Sequence, residues 1–125
     1  MKADLSIFKA CSDATRLRIL FLLAIRELCV CELVSVLEIP QGKISRHLAL
    51  LKQAGVVEDR RDGTWIYYSL SEANTALKRH LADYLRKTWT ADETATSDRE
   101  QLDTLTAQGQ ICVPNPVYIP VTSTN

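Results

Sequence analysis

The spacing of the apolar residues changes at Val56, and this change constrains the fold more than any other feature of the chain. Before Val56, apolar residues recur every three or four positions, most regularly over residues 17–24, which is typical of amphipathic helices. After it, residues 65–70 alternate as in a strand with one buried face, and Asp62-Gly63 before them is a strong hairpin signal. The sequence therefore predicts a mainly α-helical fold that carries one small β-hairpin.

Two short helices separated by a proline precede the hairpin. The first should cover residues 30–38, because Pro40 prevents its continuation. The second should cover residues 41–53, with Gly55 as its C-terminal stop. Helix, turn, helix and hairpin in this order make a winged helix-turn-helix, whose second helix fits the DNA major groove.

The second of these helices has an outward face that is poor in carboxylates and suits an anionic partner. We expect Gln41 to pair with adenine edges, and Lys43 or Arg46 to pair with guanine or phosphate. Ser45 suits a phosphate contact. His47 falls beside the core-facing positions, and it either braces the helix through a hydrogen bond or reads bases.

The hairpin supplies a second basic element. Arg60 and Arg61 are expected at its tip, where they would grip the DNA backbone beside the groove; the alternative is a solvated turn. The formal charge of the chain is zero, but residues 1–90 carry +4 and residues 91–125 carry −4. A mildly basic folded part is compatible with DNA binding.

The length of 125 residues fits one small domain with a tail. We place a DNA-binding and dimerisation domain at residues 1–90 and a polar, acidic, partly disordered tail at residues 91–125. In that tail, residues 91–110 form a polar extension, partly helical around Leu102 and Leu105, and residues 111–121 are extended or disordered. No apolar run reaches membrane-spanning length and the N-terminus does not resemble a signal peptide, so we expect a cytoplasmic protein without membrane contact.

Four cysteines lack the spacing of a disulfide framework or of a Cys-x-x-Cys zinc site: Cys11, Cys29, Cys31 and Cys112. Cys29 and Cys31 stand at the head of the helix predicted over residues 30–38. Residues two apart in a helix point roughly 200° apart, so the two thiols can share one ion only if Cys29 precedes the first turn or if binding unwinds that turn. We also expect the helix N-terminus to lower the thiol pKa, which makes thiolate available to soft ions near neutral pH.

Three runs of residues together resemble the ArsR/SmtB family of metalloregulatory repressors. They are DATRLRIL at 13–20, KISRHLALL at 43–51 and DGTW at 62–65, followed by Tyr68. The resemblance covers residues 5–84. It implies a homodimer built on the first and last helices, in which two recognition helices meet an imperfect palindrome in double-stranded operator DNA. The apolar stripe predicted for the last helix, which includes Leu77 and Leu81, needs a partner surface and agrees with such a dimer.

Residues 27–33, ELCVCEL, look like the arsenical-repressor version of the family's metal box. In that subgroup thiolates bind As(III) or Sb(III) and the DNA is released. The resemblance therefore implies a metalloid-responsive repressor with Cys29 and Cys31 as ligands and no organic cofactor. The subgroup often has a third cysteine where this chain has Val34, which leaves the third ligand open among Cys112, Cys11 and an exogenous thiol.

Three other functions stay open at this point. The cysteines could form a thiol/disulfide switch in a repressor that responds to redox or sulfur species. A Cd/Zn-type sensor would use Asp and His on the last helix, where His80 and Asp83 stand three apart. A thiol enzyme or metal carrier is the third alternative, but no general base is evident beside Cys29 or Cys31, so we predict that the chain is not an enzyme.

Overall fold

The computed structural model describes residues 1–109, which form a helical body with a small antiparallel sheet at one side. The helices are α1 (Lys2–Cys11), α2 (Ala14–Leu23), α3 (Val30–Leu37), α4 (Gln41–Gln53), α5 (Ala76–Thr88) and α6 (Glu93–Ala107). The strands are β1 (Leu28–Cys29), β2 (Val57–Asp62) and β3 (Trp65–Leu70), and a short 3-10 turn over Trp89–Ala91 joins α5 to α6. This confirms the predicted mainly α-helical fold with a small β-hairpin.

The ends of the helices follow from local chemistry in the sequence. Asp13 caps α2, because its Oδ1 accepts a hydrogen bond of 3.0 Å from the backbone N–H of Arg16. Glu38 ends α3 in the left-handed region with φ of 56°, and Pro40 then precedes the first turn of α4. Gly55, with φ of 80°, follows α4 as the predicted stop.

The sheet has the strand order β1-β3-β2, and both pairings are antiparallel. Asp62 pairs with Trp65, so the hairpin loop is Gly63-Thr64, one residue later than Asp62-Gly63, and Gly63 takes a positive φ of 65°. Strand β1 extends the hairpin to three strands by pairing Cys29 with Tyr67. It is missing from the predicted fold because a strand this short shows no alternation pattern.

The core lies where α2, α3 and α4 meet. The inward side of α4 is fully buried through Ile44, Leu48 and Leu51, as the helical spacing predicts. Leu20 of α2 and Leu33 of α3 lie in the same cluster. Among residues 1–109, none of the helices combines the length and the apolar character that crossing a bilayer requires.

Helix α6 includes Leu102 and Leu105, so the partial helix predicted around these residues is present. The helix is part of the core, however, and not the polar extension expected for residues 91–110. Ala95 and Leu102 are buried, and α6 packs against α2 and α3. Asp98 is only 5% exposed, and it accepts two hydrogen bonds, of 2.9 and 3.0 Å, from the guanidinium of Arg18 on α2. The segment predicted to be extended or disordered at 111–121, which contains Cys112, lies outside the described residues.

Candidate DNA-binding surface and thiol site

Helix α4 presents a cationic, carboxylate-free face to solvent. Gln41, Lys43, Ser45 and Arg46 are all exposed on its first two turns, while the opposite side of the helix is buried in the core. The sequence of α4 contains no Asp or Glu. A helix that is anchored on one side and basic on the other can enter a groove lined by phosphates.

His47 is held from behind by Arg16 of α2. The Arg16 Nη1 lies 3.2 Å from Nδ1 of His47, and the Arg16 Nε donates to the Ala10 carbonyl oxygen at 2.7 Å. A guanidinium can only donate, so Nδ1 of His47 is the acceptor in this contact. Of the two roles left open for His47, this contact supports bracing, because it ties α4 to the junction of α1 and α2.

The two arginines of the hairpin occupy different environments. Both lie within β2 and not in the loop, which differs from their expected place at the tip. Arg60 donates two hydrogen bonds of 2.7 Å to the Glu27 carboxylate, and its guanidinium carbon lies 4.7 Å from the centre of the Tyr67 ring. These bonds hold the pKa of Glu27 below its usual value. Arg61 is exposed, and no ion pair to it is found within residues 1–109.

Cys29 and Cys31 lie at the junction of β1 and α3. Cys29 is the last residue of β1 and the N-cap of α3, with an extended backbone (φ −85°, ψ 164°). It therefore precedes the first helical turn, which is one of the two conditions under which both sulfur atoms can face one ion. Cys31 is half-buried within that first turn.

The side chain of Glu32 fixes the backbone at this junction. Its Oε1 accepts from the Cys29 backbone N–H at 2.9 Å, and its Oε2 accepts two bonds of 3.2 Å from Arg26. Glu32 follows the N-cap by three residues, which is capping-box spacing, so the sequence itself contained the signal for this residue. Glu32 was not among the predicted site residues.

The thiol of Cys29 stays protonated at neutral pH and well above it. The prediction that the helix N-terminus lowers its pKa is therefore wrong. The residue is only 2% exposed, and burial raises the pKa of Cys29 to about 12. The backbone N–H of Glu32 acts in the opposite direction but is outweighed, and the Glu32 carboxylate raises the pKa further. Thiolate chemistry at Cys29 therefore requires a movement that brings the sulfur toward water.

A preformed metal site is not found in the part of the chain that the structure covers. Within residues 1–109, no group of three or more His, Cys, Asp or Glu side chains is close enough to hold a metal ion. Cys11 ends α1 half-buried against the core, and burial raises its pKa. His80 and Asp83 are both exposed on α5. Cys112 lies outside the described residues.

Two helices leave apolar side chains uncovered. On α1, Phe8 is 60% exposed and Leu5 is 51% exposed. On α5, Leu85 is the one buried residue and Tyr84 is half-exposed, with its ring centre 6.0 Å from that of Phe21. Exposed apolar side chains of this kind are typical of interaction surfaces.

Comparisons with known proteins agree with this architecture. Residues 13–59 match the family described as bacterial regulatory protein, arsR family. The chain is 55% identical over 65 residues to the arsenic resistance transcriptional regulator ArsR1 of Pseudomonas putida, a match that covers 51% of each chain. It is 50% identical over 68 residues to the arsenical resistance operon repressor of Escherichia coli, covering 54% of this chain and 58% of that one. The chain thus spans little more than half the length of these two relatives.

A solved structure extends the match over most of the described residues. The homodimeric winged helix-turn-helix DNA-binding domain Mb0332 of Mycobacterium bovis, a possible ArsR-family transcriptional regulator, is 32% identical with a TM-score of 0.57. The match covers 66% of this chain and 81% of that one. The helices α3 and α4 followed by the β2–β3 hairpin are therefore a winged helix-turn-helix, as predicted, and the chain belongs to the ArsR family of bacterial regulatory proteins.

Proposed function

We propose that this protein is a transcriptional repressor that binds operator DNA as a homodimer and leaves it when Cys29 and Cys31 capture As(III) or Sb(III). The observation that carries the proposal is the position of the two cysteines at the junction of β1 and α3. Helix α3 packs directly on α4, so a change at this junction reaches the element that faces DNA. Two relatives named for arsenic or arsenical resistance support the choice of inducer.

The DNA-facing residues follow from exposure. Gln41, Lys43, Ser45 and Arg46 stand free on the outer face of α4, where their donors can reach base edges and phosphates. Arg61 is the exposed cation of the hairpin, and we assign it to the DNA backbone. His47 and Arg60, in contrast, already have partners on the protein and act by holding the two DNA-facing elements in place.

A homodimer accounts for the uncovered apolar side chains of α1 and α5. Leu5, Phe8 and Tyr84 are each half-exposed or more, and α5 is a 13-residue helix with one buried side chain. A second copy would cover both helices and place two α4 helices on one side of the dimer. The centres of two such half-sites lie about 34–36 Å apart along B-DNA.

Capture of a soft ion is chemically suited to this junction. Thiolate is the ligand that soft ions prefer, and the extended backbone of Cys29 leaves its sulfur outside the helical turn that holds Cys31. Binding must expose and deprotonate Cys29, which strains its pairing with Tyr67 and the first turn of α3. The proposed consequence is a change in the direction of α4 relative to the wing. The third ligand, from Cys112, Cys11 or an exogenous thiol, is left to experiment.

The test is operator release by arsenite in fully reduced protein. The probe is a fluorescent duplex selected from a random pool by the apo protein, with binding followed by anisotropy. We expect arsenite to release the wild-type protein, and Cys29→Ser and Cys31→Ser to bind the duplex normally but to stay bound. If either variant leaves the DNA at the arsenite concentration that releases the wild type, the assignment of the ligands is wrong.

Parallel titrations separate the competing functions. Release by Cd²⁺ but not by arsenite would indicate a cadmium-type sensor, and release by an oxidant that is reversed by dithiothreitol would indicate a thiol/disulfide switch. Cys11→Ser tests this cysteine as the third ligand: normal release by arsenite would exclude it, and loss of release would assign it. Failure of the apo protein to select any duplex would refute DNA binding itself.

A further inference from the structure

An ion pair crosses from the thiol site to the wing. Glu27 directly precedes β1, two residues before Cys29, and both of its carboxylate oxygens accept bonds of 2.7 Å from the Arg60 guanidinium. The pair is two-pronged, and this geometry makes it stronger than a single contact between exposed charges. The side chain of Glu27 is 33% exposed and that of Arg60 is 54% exposed, so solvent screens the pair only in part.

The sheet register places the thiol and this arginine in one row. Tyr67 on β3 lies opposite Cys29 on β1 and opposite Arg60 on β2. Side chains of directly opposed residues point to the same face of a sheet. The Tyr67 ring therefore lies between the buried thiol and the guanidinium, which contacts the ring at 4.7 Å. A displacement of β1 acts on Arg60 through the Glu27 carboxylate and through the ring.

We propose that Glu27 and Arg60 are positioning residues that transmit a change at Cys29 to the β2–β3 wing. The inference rests on the proposed function, because it describes how release of DNA reaches the second DNA-facing element. When β1 moves to expose Cys29, Glu27 moves with it and the wing loses the contact that fixes its orientation. Signalling through α3 and α4 then acts together with signalling through the sheet.

In this role Arg60 does not contact the DNA phosphates. The Nε and Nη2 donors of its guanidinium are bound by the Glu27 carboxylate, and Nη1 lies 4.0 Å from Oδ2 of Asp62, so a phosphate would have to compete with two protein carboxylates. The neighbouring Arg61 is exposed, and strand alternation directs it to the opposite face of β2. Two adjacent arginines thus have distinct roles, and one is a matched control for the other.

The experiment measures operator affinity with and without arsenite for Glu27→Gln, Arg60→Gln, the double variant and Arg61→Gln. We expect either single change at the ion pair to make the arsenite-dependent loss of affinity about fivefold smaller. The double variant should equal Arg60→Gln alone, because that change already removes both the ion pair and the contact with the Tyr67 ring. Arg61→Gln should weaken binding equally in both states and leave the response to arsenite intact.

Salt dependence gives a second readout that a merely structural change does not move. Loss of one phosphate contact lowers the slope of log affinity against log salt by about 0.9, so a homodimer that carries the change in both subunits should lose about 1.8. We expect that drop for Arg61→Gln and an unchanged slope for Arg60→Gln. Three results would overturn the inference. They are a drop in slope of the same size for Arg60→Gln, additive effects in the double variant, and a full arsenite response in both single variants. If wild-type protein itself ignores arsenite, the proposed function fails instead.

Discussion

The buried thiol of Cys29 leads to a prediction about its reactivity across pH. The perturbation is alkylation by iodoacetamide in a variant with Cys11→Ser, Cys31→Ser and Cys112→Ser, so that Cys29 is the only cysteine left. With a pKa of about 12, the fraction of thiolate at about pH 7.5 is ~3 in 10⁵, against ~3 in 10² for an ordinary thiol of pKa 9.0. The difference in thiolate supply is therefore about 10³.

Part of this difference is offset by the greater intrinsic nucleophilicity of a more basic thiolate. With a Brønsted coefficient of about 0.4–0.5, the offset is roughly 20-fold, and because burial also shields the sulfur from the reagent, Cys29 should react at least about 50-fold more slowly than an unstructured thiol. The logarithm of its rate should rise by about one per pH unit and keep rising above pH 9.0, where an ordinary thiol levels off. Mass spectrometry of the quenched protein, with a short Cys peptide as the reference, gives both quantities.

The raised pKa of Cys29 also predicts how the free energy of unfolding changes with pH. The folded-state pKa of Cys29 lies above the value of 9.0 expected for the unfolded chain, so the folded protein binds more protons between about pH 9 and pH 12. The free energy of unfolding should be insensitive to this group below pH 9.0 and should fall as pH rises through that window.

One result of the alkylation experiment would refute the raised pKa of Cys29. If the rate of reaction with iodoacetamide levels off near pH 7 and exceeds that of the reference peptide, the thiolate is stabilised by the helix N-terminus.

Two further predictions concern α6 and the brace behind α4. Leu102→Ala should lower the free energy of unfolding, measured by urea titration, by about 3 kcal/mol. Thr104 is exposed, and Thr104→Ala should change this free energy little. Equal, small effects of the two changes would mean that α6 does not fold with the core. His47→Phe removes the acceptor for Arg16 and should lower the free energy of unfolding by about 1 kcal/mol and weaken operator binding. If His47→Phe still folds and binds the operator with unchanged affinity, the contact between Arg16 and His47 does not orient α4.

The sequence predicted the parts of the fold whose apolar residues follow one regular period. Helix α4 has the predicted bounds because Ile44, Leu48 and Leu51 mark its inward side and Gly55 stops it. Helix α6 lacked such a signal, since one of its inward positions is the charged residue Asp98. Burial of that carboxylate depends on Arg18, 80 positions earlier in the chain, and such a pairing leaves no local pattern.

The candidate site was predictable in its cysteines but not in what surrounds them. Cys29 and Cys31 were identified by resemblance, and the extended backbone of Cys29 matches one of the two geometric conditions set for them. The direction of the Cys29 pKa was not predictable, because a helix N-terminus is visible in sequence while the burial of one sulfur is not. The contact of Glu27 with Arg60 joins residues 33 positions apart, and the strand that places them together is too short to leave a pattern.

Burial of Cys29 also explains how a small ion could compete with a long stretch of DNA in the proposed switch. Emptying an almost fully occupied operator requires the inducer to prefer the DNA-free conformation by about 10⁴. Cys29 is only 2% exposed in the closed form, so its sulfur can reach an inducer only in a form in which β1 has moved. By linkage, DNA that favours the closed form weakens metalloid binding by the same factor. In the proposed switch the inducer gains its preference from access to this sulfur, and the movement of β1 that exposes it is the same one that releases Glu27 and the first turn of α3.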